Sequence, residues 1–504
     1  MVPLDSEPPP PMRLLYCLQC AVIVTLATAG VFSGIQKLSL SFILTEPPVI
    51  WCVINNTVNK SVIDSCEITE GTPCTSWDYE KAETAVSQFN LVCHNKFWIY
   101  LSQTIYLLGF VVGTFTSGVV ADIYGRRPTI IVATLLSFIF SSAAVFSPSI
   151  VFFNILQFST AASSISLYYV GYTYSMEIVP AQWKGFVTVM FGITMSCGYA
   201  LTPLLAWLFP QWTHLQLVGT LPLLLIIIPI SIPSFFTESP RWLLAKGLYA
   251  RCEEGPVINN SIPSSENSLL LKKIKSANNL PESSLKFFFE SPGLCFSTII
   301  LFYIWSVFII IYNFVIMNAK NIIPGDANIN ILVMAALDVV ASFVTFPLIH
   351  FFDRHISTSM CLLITGVSFV FSSCVSDLII KQALAQVGQF VNTICFNLMY
   401  LFTVEIYPTV VRSRAVGLLN GGGRIGSMIP PLLLPFVEDD QYFFSLGLMA
   451  LVACGLIWLL PETKGVELMD TLKDGELFNA QLGGMKWFRK KEARNPKEEV
   501  KDDI

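Results

Sequence analysis

Apolar runs long enough to cross a bilayer alternate with short polar connections along most of the chain. Taking about 20 apolar residues as one span, the pattern predicts twelve, near 14–36, 98–120, 129–146, 150–175, 185–208, 214–235, 294–316, 329–350, 358–376, 382–404, 413–436 and 442–460. Six lie on either side of a polar stretch at 237–293. The predicted fold class is therefore all-α: a polytopic membrane protein whose twelve transmembrane helices form two six-helix bundles. Its expected parts are a cytoplasmic N-terminus (1–13), a first bundle (14–236) that includes an extracellular loop at 46–97, a cytoplasmic central loop (237–293), a second bundle (294–461) and a cytoplasmic tail (462–504).

The two halves are related. Tyr172-x-x-x-x-Glu177-Ile178-x-Pro180 returns 228 positions later as Tyr400-x-x-x-x-Glu405-Ile406-x-Pro408. The same shift carries Lys184 onto Arg412, Gly198 onto Gly426 and Pro203 onto Pro431, and takes Gly125-Arg126 onto Asp353-Arg354. One register across separate landmarks points to a duplicated half-molecule. Membrane transporters are often built from such paired halves around a midplane site.

Composition narrows the class. Of the 504 residues, 53% are hydrophobic and 13% charged, against roughly 25% charged in a soluble domain. The net charge is −5, without the concentrated basic block that nucleic-acid binding needs. After Pro8 to Pro11 and Arg13 the first apolar run is long enough to span, so it is expected to serve as its own signal-anchor. With both termini cytoplasmic, the inner short loops hold Arg126, Arg127, Lys184, Arg354, Arg412 and Arg414, and the outer ones only Lys320 and Lys381. That asymmetry follows the positive-inside rule. The expected location is the plasma membrane.

The loop between the first two spans contains Cys52, Cys66, Cys74 and Cys93, an even set that suggests two disulfides with three pairings open. Sequons at Asn55 and Asn59 mark it for glycosylation, while a third at Asn259 falls on the cytoplasmic side and is expected to be unused. The loop reads either as a folded cap at the pore mouth or as a quality-control module that never touches substrate.

Asp122-Ile-Tyr-Gly125-Arg126-Arg127-Pro128 joins spans 2 and 3 on the inner side. Its glycine permits a tight turn, its arginines suit phospholipid or a nearby carboxylate, and its proline opens a helix. Glu238-Ser239-Pro240-Arg241-Trp242 follows span 6, and Pro461-Glu462-Thr463-Lys464-Gly465 follows span 12 in the matching position. With Gln88-Phe-Asn-Leu91-Val92-Cys93 and Glu405-Ile406-Tyr407-Pro408-Thr409-Val410-Val411-Arg412, these segments resemble the major facilitator superfamily, and within it the organic cation, organic anion and carnitine transporters. The resemblance covers nearly the whole chain. It implies the major facilitator fold and secondary transport of small organic ions by alternating access. It also implies that Asp122, Arg126, Glu177, Glu405 and Arg412, with Arg127 beside them, belong to inner-gate charge clusters; static ion pairing that sets helix packing is the other reading. The second loop copy, Asp353-Arg354-His355, lacks the glycine and one arginine, so the two gates are not expected to be equivalent.

Charge inside a span costs roughly 2.5–3.5 kcal/mol on insertion scales and needs a reason. Arg424 lies about 18 Å beyond Arg412 at 1.5 Å per residue, in a core about 30 Å thick. Its flanks are Gly421-Gly422-Gly423 and Pro430-Pro431, a segment expected to bend. In the family this position resembles the basic version found in anion and carnitine transporters. A guanidinium suits a carboxylate because it donates two parallel hydrogen bonds; the alternative is neutralisation of a protein acid such as Asp338. Other expected substrate contacts are Trp305 and Tyr312 on span 7, Tyr168 on span 4, Asp338 on span 8, and Gln386, Gln389 and Asn397 on the polar stripe of span 10. Interhelical hydrogen bonding accounts for such stripes equally well.

The expected function is secondary transport of small organic anions or carnitine-like zwitterions. The rivals are an organic cation carrier with Asp338 as counter-ion, and a non-transporting sensor or partner-binding protein. No enzyme constellation, cofactor motif or metal-ligand cluster is visible, and no nucleic-acid partner is expected. The partners are the lipid bilayer and an organic ion, with sodium or a counter-substrate left open, and the chain is expected to work as a monomer.

Overall fold

The structure, a computed structural model, describes residues 10–47, 50–54, 57–59, 76–79, 84–179, 184–232, 236–239, 242–243, 292–317, 327–407, 412–433, 436–437 and 439–463. Long helices dominate, because lipid offers no partner to the backbone and an α-helix pairs its interior N–H and C=O groups within itself. In chain order they are α1 (Pro10–Ile43), α2 (Ala85–Gln88), α3 (Phe97–Tyr124), α4 (Arg126–Ala143), α5 (Ile150–Ile178), α6 (Lys184–Leu208), α7 (Trp212–Thr220), α8 (Leu224–Ile230), α9 (Pro292–Met317), α10 (Ala327–Phe351), α11 (Arg354–Cys374), α12 (Leu378–Ile406), α13 (Arg412–Gly426), α14 (Ile429–Leu433) and α15 (Asp439–Ile457). Among the described residues nine helical stretches are long and apolar enough to cross a membrane. The protein is a multi-pass, all-α membrane protein.

Three spans depart from their predicted form. The sixth is divided between α7 and α8 by a short 3₁₀ turn, Leu221–Leu223, at whose centre Pro222 supplies no N–H. The eleventh stops at Gly426, turns through Ser427-Met428 and resumes as α14. Pro430 and Pro431 cause the break, since neither can donate to a carbonyl one turn back; the glycine triplet before them stays helical. The first span runs past position 36 to Ile43, with Leu38, Leu40 and Ile43 buried. Lys37 consequently lies six residues inside the end of α1.

The described residues form two compact units. One is drawn from 1–281, 314–340 and 428–437, the other from 282–313, 341–427 and 438–504. In the first, α1 packs tightly on α6 through glycine: a Cβ at Gly34 would sit 2.5 Å from the Met195 carbonyl oxygen, and one at Gly198 2.4 Å from that of Val31. Close approach of this kind replaces the hydrophobic drive that lipid removes.

The loop after α1 holds a three-stranded antiparallel sheet of order β2-β1-β3, with β1 at Ile50–Ile54, β2 at Thr57–Asn59 and β3 at Ser76–Tyr79. Cys52 pairs with Asn59 on one side and Trp77 on the other. The segment after the sheet is pinned to the helices. Trp212 Nε1 donates to Gln88 at 2.9 Å, Phe89 packs against Phe153 and Trp212, and the Tyr79 hydroxyl donates to Asn90 at 3.0 Å. Burial pushes the Tyr79 phenol up to about 12. Lys96 pairs with Glu46 at 2.7 Å. Burial draws the Lys96 ammonium down, but the Glu46 hydrogen bond and charge outweigh it and leave its pKa raised. Cys93 is disulfide-bonded. Cys66, Cys74 and Asn55 lie outside the described residues, as do the side chains of Cys52 and Asn59.

Gly34→Val should therefore separate α1 from α6, at a cost of about 1–3 kcal/mol or more for overpacking. The expected result is a lowered melting temperature in detergent. Gly118→Ala, where an added Cβ meets nothing within 4 Å, should melt with the wild-type protein; equal melting of both variants would remove this account of the packing.

Candidate functional site

In the first unit, polar chemistry gathers where α3 meets α4. Gly125 joins them at φ 107°, a conformation that side chains avoid. The Glu238 carboxylate caps α4: it accepts from the backbone N–H of Arg126 at 2.9 Å, of Arg127 at 3.2 Å and of Ser239 at 2.9 Å. An anion there also meets the positive end of the helix. The Arg126 guanidinium, 12% exposed, pairs with Glu177 at 3.0 Å and with Asp122 at 3.1 Å. The Ser239 hydroxyl donates to Glu177, and Trp242 Nε1 donates to the Asp122 carbonyl at 3.1 Å. Four chain segments are tied together.

The second unit repeats the scheme at the start of α11. Arg354 and His355 donate backbone N–H groups to Glu462 at 3.1 and 3.0 Å. The Arg354 guanidinium makes two hydrogen bonds to Glu405, at 3.2 and 3.1 Å, and the Thr463 hydroxyl donates to Glu405. The pairs Arg126/Arg354 and Glu177/Glu405 keep the 228 offset, and Glu238-Ser239 corresponds to Glu462-Thr463. The expected inequivalence lies around the shared arginine–glutamate pair: the position 228 residues after Asp122, the second acid paired with Arg126, is His350. Asp353 caps in an ordinary extended conformation where the first copy needs glycine, and His355 stands in place of Arg127. The side chain of Arg412 lies outside the described residues.

The second unit also gathers the predicted aromatic and basic residues. α13 approaches α9 along its glycines: a Cβ at Gly422 would fall 2.2 Å from Phe302, and one at Gly423 3.1 Å from the Trp305 backbone. Trp305 is fully buried and donates to the Thr403 hydroxyl at 3.1 Å. Its ring packs edge-on against Tyr400, with centroids 4.8 Å apart, and against Phe396 at 5.4 Å; Tyr312 stacks on Phe396 at 6.4 Å. Asn420 donates to the Tyr400 hydroxyl and accepts from Arg424 Nε at 3.1 Å. Arg424, half-buried, thus extends from a framework of aromatic rings and one amide.

The remaining predicted residues are distributed more widely. Asn397 meets Thr345 at 3.5 Å. Gln386 and Gln389 are buried, and their amides have no hydrogen-bond partner among the described residues. Tyr168 and Asp338 belong to the first unit, where Tyr168 donates to the Phe191 carbonyl at 3.4 Å and Asp338 is buried. Two residues escaped the sequence reading. Asn420 was marked only by standing one helical turn before Arg424. Lys37, 3% exposed in α1 with its ammonium 5.8 Å from the Tyr199 ring centroid, fell just outside the predicted first span.

A duplicated helical framework with twin charge clusters is the architecture of a membrane carrier rather than of an enzyme. Solved structures of similar fold include the inward-open conformation of the xylose transporter XylE from E. coli, at 14% identity and a TM-score of 0.66, covering 91% of this chain and 99% of that one. Residues 61–473 match the family described as sugar (and other) transporter, and the chain belongs to that family of the major facilitator superfamily. It is 27% identical over 430 residues to organic cation transporter 1 of Caenorhabditis elegans, covering 81% of this chain and 72% of that one. It is 29% identical over 437 residues to human solute carrier family 22 member 13, covering 83% and 77%, and 27% identical over 415 residues to human organic cation/carnitine transporter 2, covering 79% and 73%.

Glu177→Ala should leave the largely buried Arg126 without its principal partner, at a cost of about 3 kcal/mol, read as a lower melting temperature. Arg126→Ala and Glu177→Ala together should cost clearly less than the sum of the two singly. Strict additivity would show that the pair contributes no coupling.

Proposed function

We propose that the protein is a plasma-membrane carrier of small organic ions bearing a carboxylate, either anions or carnitine-like zwitterions, and that it works by alternating access with both termini in the cytoplasm. The observation that carries this reading is the placement of Arg424. A half-buried guanidinium is held by Asn420 beside the Tyr400, Trp305 and Phe396 rings. Arginine binds carboxylates through paired hydrogen bonds, and aromatic faces can hold a quaternary ammonium at the other end of a zwitterion.

In this reading Asn420 orients Arg424, Tyr312 and Phe396 bound the solute, and the clusters around Arg126 and Arg354 open and reform as the carrier changes state. Asp122 is suited to such opening, because its side chain is 73% exposed although it pairs with Arg126, and an exposed ion pair exchanges with water at little cost. The relatives include proteins named for organic cations and for carnitine, which keeps an organic cation carrier, with Asp338 as counter-ion, as the second reading. Disulfides in the outer loop and glycosylation at Asn55 and Asn59 belong to the proposal as well.

Uptake of labelled benzoate, carnitine and tetraethylammonium by cells expressing the protein separates these readings. Arg424→Asp is expected to abolish uptake of whichever carboxylate the wild-type protein takes, and Asn420→Ala to raise its KM about 10-fold through one lost charge-assisted bond. Undiminished carboxylate uptake by Arg424→Asp would sink the anchoring role. Asp122→Asn at equal surface expression is expected to slow turnover with KM little changed; normal turnover would remove it from the gate.

A further inference from the structure

Lys37 is the most deeply buried cation described within a span. The chain keeps an ammonium 3% exposed inside an apolar helix, where insertion costs roughly 2.5–3.5 kcal/mol. The Tyr199 ring at 5.8 Å offsets part of that, since cation–π attraction reaches about 2 kcal/mol when desolvated.

Neighbouring helices of the unit carry polar side chains at a similar distance from the same end. Measured from Ile43, Phe97, Ile150 and Leu208, the same-side ends of α1, α3, α5 and α6, Lys37, Gln103, Tyr106, Asn154, Gln157 and Tyr199 all lie four to nine residues in. That is about 6–14 Å. The contacts Ser33–Ser164 and Leu26–Gly171 set an antiparallel register of α1 on α5 that brings Lys37 level with Thr160, one turn from Gln157. Tyr106 shares one buried cluster with Leu40 and Ile43 of α1. The Tyr106 hydroxyl, the Gln103 carbonyl and the entire amides of Asn154 and Gln157 are buried with no hydrogen-bond partner among the described residues. On the neighbouring side of α1 the amides are partly satisfied: Gln36 accepts from Gln216 at 2.9 Å and Gln216 also donates to Ser141 at 2.9 Å, while Gln36 Nε2 and Gln216 Oε1 have no hydrogen-bond partner among the described residues.

We propose that this layer of the first unit is a carboxylate-binding subsite with Lys37 as its charged centre. A carboxylate offers about four acceptor positions, matching the ammonium, the Tyr106 hydroxyl and the amide N–H groups of Asn154 and Gln157. Water would serve the same donors as an acceptor, whereas a carboxylate also brings the opposite charge that an ammonium favours. The inference rests on the reading of the protein as a carrier of carboxylate-bearing solutes. It adds a second basic determinant to Arg424, so that each unit contributes one.

The test is ligand-induced thermal stabilisation of the purified full-length protein in detergent, with benzoate, succinate, carnitine and, as cation control, tetraethylammonium at matched ionic strength. Wild-type protein is expected to be stabilised by at least one carboxylate. Lys37→Gln should raise the half-saturating concentration about 10- to 100-fold, the loss of one or two charge-assisted hydrogen bonds, and Lys37→Arg should restore it to within a few-fold. Tyr106→Phe deletes a single hydroxyl and should raise it roughly 3- to 10-fold; this variant carries the test if Lys37→Gln does not fold. No stabilisation of the wild-type protein by any carboxylate overturns the proposal. So does an unchanged response in Lys37→Gln or in Tyr106→Phe, or equal loss in Lys37→Gln and Lys37→Arg. Arg424→Gln separates the two sites: loss there with Lys37→Gln unaffected retains the Arg424 anchor and removes this one.

Discussion

A carboxylate seated on the first turn of a helix is the contact from which each half is built. Glu238 takes the leading N–H groups of α4 and Glu462 those of α11, groups that would otherwise be unsatisfied at the edge of a low-dielectric layer. Each is followed by a hydroxyl residue, Ser239 or Thr463, that reaches a second carboxylate at the end of a distant helix. An arginine from the capped helix closes the ring on that same carboxylate. Every member has a partner that another member supplies, so the cluster holds as a set. This explains why the repeat stays legible at Arg126/Arg354 and Glu177/Glu405; Gly125 answers a demand of the first copy, where the backbone turns at φ 107° and an added Cβ would meet the Glu238 carboxylate.

The repeat also places a tyrosine at one position in each half and uses it differently. The Tyr172 hydroxyl meets Thr188 of the following helix at 3.0 Å. Tyr400 meets Asn420 of the following helix, and the relay continues to Arg424. Behind Tyr400, Trp305 is locked by Thr403 and leaves the ring little room to turn. The tyrosine keeps its place while its partner moves by one turn, since the positions matching Thr188 and Asn420 are Val416 and Gly192; in one half it packs and in the other it mounts a charged side chain.

Much of this was legible in sequence, and the reason is physical. Lipid forces each crossing into a helix of fixed minimum length, so spans such as α3, α5 and α9 could be read from apolar run length alone. The charge clusters were legible because duplication displayed their members twice. Partners were harder. Glu462 belongs to the Pro461-Glu462-Thr463 segment, yet nothing in a linear pattern says that its oxygens cap a helix 108 positions earlier. Asn420 is a lone amide with no period to mark it. Lys37 was missed because charge beside an apolar run marks a span's end, and only the burial of Leu38, Leu40 and Ile43 beyond it shows that the helix continues. The small sheet after α1 has strands of five, three and four residues, too short for alternation to emerge.

The stop in α13 at Gly426 bears on how firmly any bound anion could be gripped. Arg424 occupies the last turn of that helix, where carbonyl oxygens point past the end without intrahelical donors and carry a partial negative charge. The Arg424 carbonyl itself is met locally, by the Ser427 hydroxyl at 2.6 Å and its N–H at 3.1 Å. The guanidinium is thus softened by the dipole of its own helix, and a solute anion would feel less than a full unit of attraction. A site built for permanent capture would lose affinity that way, whereas a translocating protein needs it, because cargo held too tightly at the midpoint never leaves.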